Sequence, residues 1–282
     1  EIVEKTIITM LEEKKYATVR EVLVTMNPAD IALVFSGLEK QQIPLLFRLL
    51  PKEMAAETFA EMQTEEQEIL IQGFSDNELK EVLNELYIDD AADLVEEMPA
   101  NVVKRILSQV TPQMRNTINQ ILRYPEYSAG SMMTTEYVSL RSDMTVGESI
   151  LRIRRQGIDK ETIYTCYVTK DRRLIGLISV KDLLLAPSDD MLIEEIMQTN
   201  LISVGTHTDQ EEVARMFSRY NFLALPVVDK ENRMVGIVTF DDAMDVLEDE
   251  ATEDIEIMGG MLPSEKTYLK SSAWELFKNR IP

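Results

Sequence analysis

Apolar residues recur every three to four positions from Glu1 to about Tyr124, and Pro, Gly, Ser or Asn interrupt them at short intervals. That pattern predicts one short helix after another, with starts near Pro28, Gln41, Pro51, Thr64, Asn77, Asp89, Ala100 and Pro112. Three segments rhyme. PADIALVFSGL, PKEMAAETFAEM and IDDAADLVEEM each carry an acid, an Ala two residues later, and then large apolar residues at helical spacing. Short similar helices that cannot bury a face alone stack on one another, so residues 1–124 are expected to form an all-α, armadillo-like superhelical array.

The period changes after YPEYSAGSMM, where Pro125, Ser128, Gly130 and Ser131 mark an expected linker over 125–134. Beyond it, two units repeat at about 60 residues, the first over 135–195 and the second over 196–245. The first reads EYVSLRSDMTVGESILRI and then TIYTCYVTKDRRLIGLISVKDLL; the second reads NLISVGTHTDQEEVARMF and then FLALPVVDKENRMVGIVTFDDAM. Each predicts a strand, a helix opened by Thr or Asp, a strand, a polar turn, a strand with Gly near its start, and a further helix. Each unit has too few strands for an independent sheet of ordinary size, so the two are expected to pair into one module. The fold class is therefore α+β and multidomain: a helical array, a pair of β-α-β-β-α repeats, and a C-terminal connecting helix over 246–282.

That last helix opens with DDAMDVLEDEATEDIE, Asp241 to Glu256, which holds nine carboxylates and no basic residue. At 100° per residue Asp242, Asp245, Asp249, Glu253 and Glu256 share one face, while Met244, Leu247, Ala251, Ile255 and Met258 are expected to form the packing face opposite. Like charges at these spacings cost about 0.2 to 0.5 kcal/mol per pair, so the acidic face calls for full solvation or a cation. The whole chain has the same bias, with 29 Lys and Arg against 50 Asp and Glu and a formal net charge of -21 over 282 residues. Such a balance argues against nucleic acid, whose affinity comes from Lys and Arg neutralising phosphates, and argues for cations.

The remaining chemistry is sparse. A single cysteine, Cys166, excludes an internal disulfide and sits in the strand-like IYTCYV as a buried small hydrophobe. The single His207, in GTHTDQ, reads as an exposed turn residue, and without Cys clusters or paired His there is no zinc or copper pattern. No nucleophile elbow, glycine-rich phosphate loop or histidine pair is present, so the chain is not expected to be an enzyme. No apolar stretch approaches the 18 or so residues that span a bilayer. The chain begins at Glu1 and not at Met, and reads as a piece of a longer protein. Its last segment, SSAWELFKNRIP, mixes Trp274, Phe277, Lys278 and Arg280 as chains do at a membrane interface.

GLISVKD and GIVTFDD, Gly176 to Asp182 and Gly236 to Asp242, fall at matching places in the two units and resemble the tandem cystathionine-beta-synthase (CBS) domain. The resemblance implies a cleft for ATP or another adenosine nucleotide, with Ser179 and Asp182, and Thr239 and Asp242, meeting the ribose hydroxyls. An ionised carboxylate accepts both hydrogens of a vicinal diol. The alternative is that Thr239 and Asp242 only cap the helix that follows.

Helical array, YSAGSMMTTEYV, TDQEEVAR and EATEDI in this order are similar to the cytoplasmic region of MgtE-type magnesium transporters and channels. That resemblance implies a homodimer formed through the CBS domains, on the cytoplasmic side of the cell membrane, beneath its own transmembrane pore domain, which this chain lacks. It implies magnesium ions held by Glu57, Asp89 and Asp93 in the helical domain, by Asp209 and Glu211, and by Asp242, Asp245, Glu250 and Glu253 on and before the connecting helix. One position departs: the family commonly has an acid where this chain has Asn221, which weakens a site there. The function implied is magnesium sensing that compacts the dimer and closes the pore through the connecting helix. The rival is a CBS module that senses adenosine nucleotides. Magnesium, small and slow to shed water, suits acids scattered on facing surfaces better than a prebuilt cage.

Overall fold

The computed structural model describes residues 2–258; Trp274, Phe277, Lys278, Arg280 and the connecting helix expected beyond Met258 lie outside the described residues, as does the side chain of Glu256. The described residues form two compact units, which divide between Leu122 and Arg123. Among the described residues no helix is long and apolar enough to cross a membrane.

The first unit contains α1 (Ile2–Glu12), α2 (Tyr16–Leu23), α3 (Pro28–Ser36), α4 (Ile43–Phe47), α5 (Lys52–Ala60), α6 (Thr64–Gly73), α7 (Asp76–Leu83), α8 (Ile88–Glu97), α9 (Ala100–Gln109) and α10 (Pro112–Ile121). Every start expected from Pro28 onward lies within two residues of an observed one, because helix entry is set by local chemistry. Pro28 and Pro112 occupy first-turn positions, where a missing N–H costs nothing, and Ser75 forms a capping box with Glu78. The array comes from alternate packing: α3 lies on α5, α5 on α7 and α7 on α9, while α4 lies on α6 and α8 on α10. The rhyming helices therefore divide, with α3 and α5 in one layer and α8 in the other. Phe47 joins the layers, its ring meeting Phe35 and Phe59 at 6.3 Å and Phe74 at 5.3 Å. Arg105 on α9 donates to the carbonyls of Ile71 and Phe74, satisfying orphan acceptors at the end of α6.

The second unit contains β1 (Tyr137–Leu140), α11 (Val146–Gln156), β2 (Thr162–Lys170), β3 (Arg173–Ser179), α12 (Val180–Leu184), α13 (Ile193–Ile196), β4 (Val204–Gly205), α14 (Gln210–Tyr220), β5 (Ala224–Val228), β6 (Met234–Thr239) and α15 (Phe240–Met258). The repeat expected from the sequence is present. β1 runs parallel to β2, which pairs antiparallel with β3, and β4, β5 and β6 repeat that arrangement. A shared core of Tyr167, Leu174, Ala224, Val228, Met234 and Ile237 joins the two halves. Backbone bonds add to it, from Leu174 N–H to Asn232 O at 3.3 Å and from Met234 N–H to Arg172 O at 2.9 Å. Three strands with one buried face do not suffice alone, and pairing supplies the second layer.

Residues read as a linker are built into the second half. Ala129 and Met133 are buried with Val204, Val213, Phe217 and Leu225, and Thr134 exchanges both backbone bonds with Ile237 at 2.8 and 2.9 Å. Gly130 is required there: a Cβ would stand 2.5 Å from the Tyr124 ring and 2.7 Å from the Thr206 carbonyl oxygen.

The face on which α15 packs differs from the expected one. Ala243 and Val246 are buried and Leu247 joins the second-half core, whereas Ala251, Ile255 and Met258 are exposed. The packed stripe is thus turned by about a quarter of the helix circumference from the face centred on Met244 and Ile255. Contact with α14 sets that rotation, which the helix's own apolar spacing does not encode.

Candidate functional site

The most chemically distinctive positions in the second unit are the two places where a strand runs directly into a helix. At the end of β3, Ser179 Oγ donates to Asp182 Oδ2 at 2.7 Å and accepts from the Asp182 N–H at 3.0 Å. At the end of β6, the buried Thr239 hydroxyl donates to Asp242 Oδ2, which also receives the Thr239 N–H at 3.4 Å. Both pairs are therefore engaged in capping the helix that follows. The same oxygens are the ones that would meet a ribose, so a ligand there must displace or share these bonds.

Asp242 differs from Asp182 in its surroundings. Burial pushes its carboxyl up to about 6, the nearby Asp241 and Asp245 charges act in the same direction, and the Thr239 hydrogen bonds oppose them. Along the same helix, burial and the neighbouring Glu248 raise Asp249. An acidic helix that holds its own carboxyls above their usual range favours any counter-charge that reaches it. Neither Asp241 nor Asp249 was among the ligand candidates; both are exposed, and the nine-carboxylate run signalled crowding without showing that Asp242 is the acid the packing covers.

The other candidate acids fall on separate surfaces. In the helical unit Glu57 is exposed on α5, Asp89 is buried at the first turn of α8, and Asp93 is exposed one turn later. Asp89 Oδ1 accepts from the Asp90 N–H at 3.1 Å. In the second unit Asp209 caps α14 by accepting from the Glu211 N–H at 3.0 Å, and Glu211 pairs with Arg215. Glu250 on α15 comes beside the start of α14, where Gln210 Nε2 donates to its Oε1 at 3.5 Å. Asp245 and Glu253 are exposed. Thus Asp242 lies close to Asp245, and Glu250 adjoins the segment holding Asp209 and Glu211.

Among the described residues no three Asp, Glu, His or Cys side chains converge on a point that could hold a metal. The donor set is nonetheless oxygen throughout, which fits a hard cation that keeps most of its waters and takes one or two carboxylates. Asn221 ends α14 in the left-handed region, at φ 54° and ψ 44°, with its N–H on Phe217 O. Asn tolerates this conformation well, which gives the residue a backbone reason to be there. His207 is exposed, with Nδ1 2.9 Å from the Thr206 hydroxyl. Cys166 is buried, and desolvation pushes its thiol up to about 12, so it is inert. One feature carried no sequence signal: the rings of Tyr220 and Phe222 stack at 5.4 Å, in the segment that leads from α14 into β5.

Residues 26–127 match the MgtE intracellular N domain, and residues 129–189 and 193–249 each match the CBS domain. The chain is 39% identical to the magnesium transporter MgtE of Thermus thermophilus over 276 residues, which is 96% of this chain and 61% of that protein. It is 32% identical to MgtE of Bacillus subtilis over 89% of this chain and 55% of that protein, so it spans roughly three fifths of these relatives. Among solved structures, the cytosolic domain of the Mg2+ channel MgtE in complex with ATP superposes with a TM-score of 0.80 at 38% identity, covering 86% of this chain and 99% of that one. The soluble part of a magnesium transporter gives 0.79 at 30% identity, covering 88% and 98%. Helical N domain, paired CBS repeats and near-complete coverage of a known MgtE cytosolic domain lead to one assignment: the chain belongs to the MgtE family of magnesium transporters.

Proposed function

We propose that this chain is the magnesium-sensing, non-enzymatic regulatory region of a magnesium transporter or channel, on the cytoplasmic side of the membrane. The observation that carries the reading is the crowding of carboxylates along α15, with Asp242 pushed up to about 6 beside Asp241 and Asp245, in a chain of net charge -21. Without divalent cations, acidic surfaces repel one another and the helical unit and CBS pair separate. With magnesium, ions shared by Glu57, Asp89 and Asp93 on one side and by Asp209, Glu211, Asp242, Asp245, Glu250 and Glu253 on the other hold a compact homodimer. The domain divisions at 125–134, 195 and 245 separate the moving parts, and the connecting helix carries the change to the pore and closes it.

Magnitudes favour several ions over one. A tenfold rise in magnesium shifts the equilibrium by at most about 1.4 kcal/mol for each additional bound ion. Four ions supply about 5.5 kcal/mol, enough to move a population from 1:99 to 99:1. The test is urea unfolding at graded magnesium concentrations. Stability plotted against the logarithm of concentration should rise with a slope of at least two ions, and Asp242→Asn with Asp245→Asn should lower that slope. A flat line would remove the proposal.

A second reading, adenosine-nucleotide sensing, is favoured by the recurrence of one hydroxyl–carboxylate pair at matching strand-to-helix junctions, Thr239 with Asp242 and Ser179 with Asp182. A related cytosolic domain has been solved in complex with ATP. Calorimetry with ATP in chelator separates the readings: binding that compacts the protein without magnesium supports the second.

A further inference from the structure

The two β-hairpins of the second unit meet at their tips, and the meeting point gathers positive charge in a strongly acidic chain. Lys170 and Arg173 are directly paired across β2 and β3, on either side of a two-residue turn made by Asp171 and Arg172. Arg173 in turn is bridged antiparallel to Arg233 at the start of β6. The bonds flanking that bridge, Leu174 N–H to Asn232 O and Met234 N–H to Arg172 O, mark Arg173 and Arg233 as a non-hydrogen-bonded pair. In such pairs the side chains project to the same face and approach most closely, with Cα atoms about 4.5 Å apart. Three cations therefore stand in a row across adjacent strands, Lys170, Arg173 and Arg233, over about 10 Å.

Their neutralisation is uneven. Arg233 is clamped by Asp229 Oδ2 and Glu231 Oε2, each at 2.9 Å. Lys170 and Arg173 are exposed and form no ion pair among the described residues. Like charges directly opposite in an antiparallel pair are destabilising, and Arg173 has one on each side. The turn adds a cost, since Asp171 and Arg172 adopt φ of 52° and 66° where Asn-Gly or Gly-Gly would sit without strain. A row that the fold opposes on two counts is accounted for by an anion that it holds.

We propose that this row is a binding site for a phosphate-class oxyanion, with the Arg173 guanidinium fork as its centre, Lys170 on one side and the pre-clamped Arg233 on the other. Arg recognises phosphate oxygens in pairs, and the Asp229–Glu231 clamp fixes Arg233 in advance. The site is independent of the acidic surfaces assigned to magnesium and stands apart from the Ser179 and Thr239 caps. The anion's source is a soluble phosphorylated molecule or an anionic lipid headgroup.

The test uses the 282-residue chain in metal-free buffer, with calorimetric titration of inorganic pyrophosphate and co-sedimentation with vesicles of phosphatidylglycerol and phosphatidylcholine. Pyrophosphate binding that Arg173→Gln weakens by roughly tenfold, and Arg173→Lys by less, supports the site with a soluble ligand. Vesicle binding with the same dependence, and none to pyrophosphate, supports it with a lipid source. Removing the central charge should also raise the melting temperature of the anion-free protein by about 1 °C. The proposal is overturned when neither probe binds, or when Arg173→Gln binds as the wild type does.

Discussion

The two halves of the CBS pair share one topology and differ in charge. Between residues 135 and 195 nine basic residues face eleven acidic ones; between 196 and 258 four face fourteen. Strand pairing, the strand-to-helix junctions and the Gly positions repeat, with Gly176 opposite Val168 and Gly236 opposite Val227. The fold needs apolar positions at the right register, and it leaves the exposed positions free. The first half uses that freedom for a near-balanced charge and the second for a crowded acidic helix, so repeating a fold does not repeat its charge.

The matching glycines offer the largest contrast. A Cβ at Gly236 would stand 2.6 Å from the Thr134 carbonyl oxygen, which is backbone, whereas at Gly176 the nearest atom is the Met197 sulfur, on a flexible side chain. Gly236→Ala should cost about 3 kcal/mol in urea unfolding and Gly176→Ala about 1 kcal/mol. Equal losses would remove the special role given to the 125–134 segment in the second half.

Next in size is the pH response of Asp242. Its folded carboxyl, near 6, lies above the value of about 3.9 in an unfolded chain, so its contribution is fully present below about pH 4 and is lost as pH rises through 6. In metal-free buffer Asp242→Asn should therefore stabilise the protein at pH 7.5, by about 2 kcal/mol, and have little effect at pH 4. Stabilisation of the same size at both pH values would contradict the assignment.

The smallest contrast lies at the caps. Thr239→Ala removes a buried hydroxyl that satisfies a crowded carboxylate, while Ser179→Ala removes a half-buried one. Losses of about 1.5 and 0.7 kcal/mol are expected in thermal melts. A reversed order would place the sensitive junction in the first half.

How far the sequence anticipates these differences depends on how local their causes are. Pro28, Thr64, Ala100 and Pro112 begin helices where their own chemistry says they should. The repeat at GLISVKD and GIVTFDD was legible because a strand, a turn and a cap each leave residues at fixed spacing. What packing decides stayed hidden. The face α15 buries is set by α14, and the enclosure of Asp89 is set by the surrounding array. The Lys170–Arg173–Arg233 row needs a cross-strand register joining residues 60 positions apart, which no single stretch displays.

The most direct measurement of the central claim is small-angle scattering of the purified chain in chelator and in millimolar magnesium, repeated for a variant carrying Asp89→Ala and Asp93→Ala. The account predicts a smaller radius of gyration with magnesium for the wild type and a smaller change for the variant. Identical profiles in chelator and magnesium would contradict it.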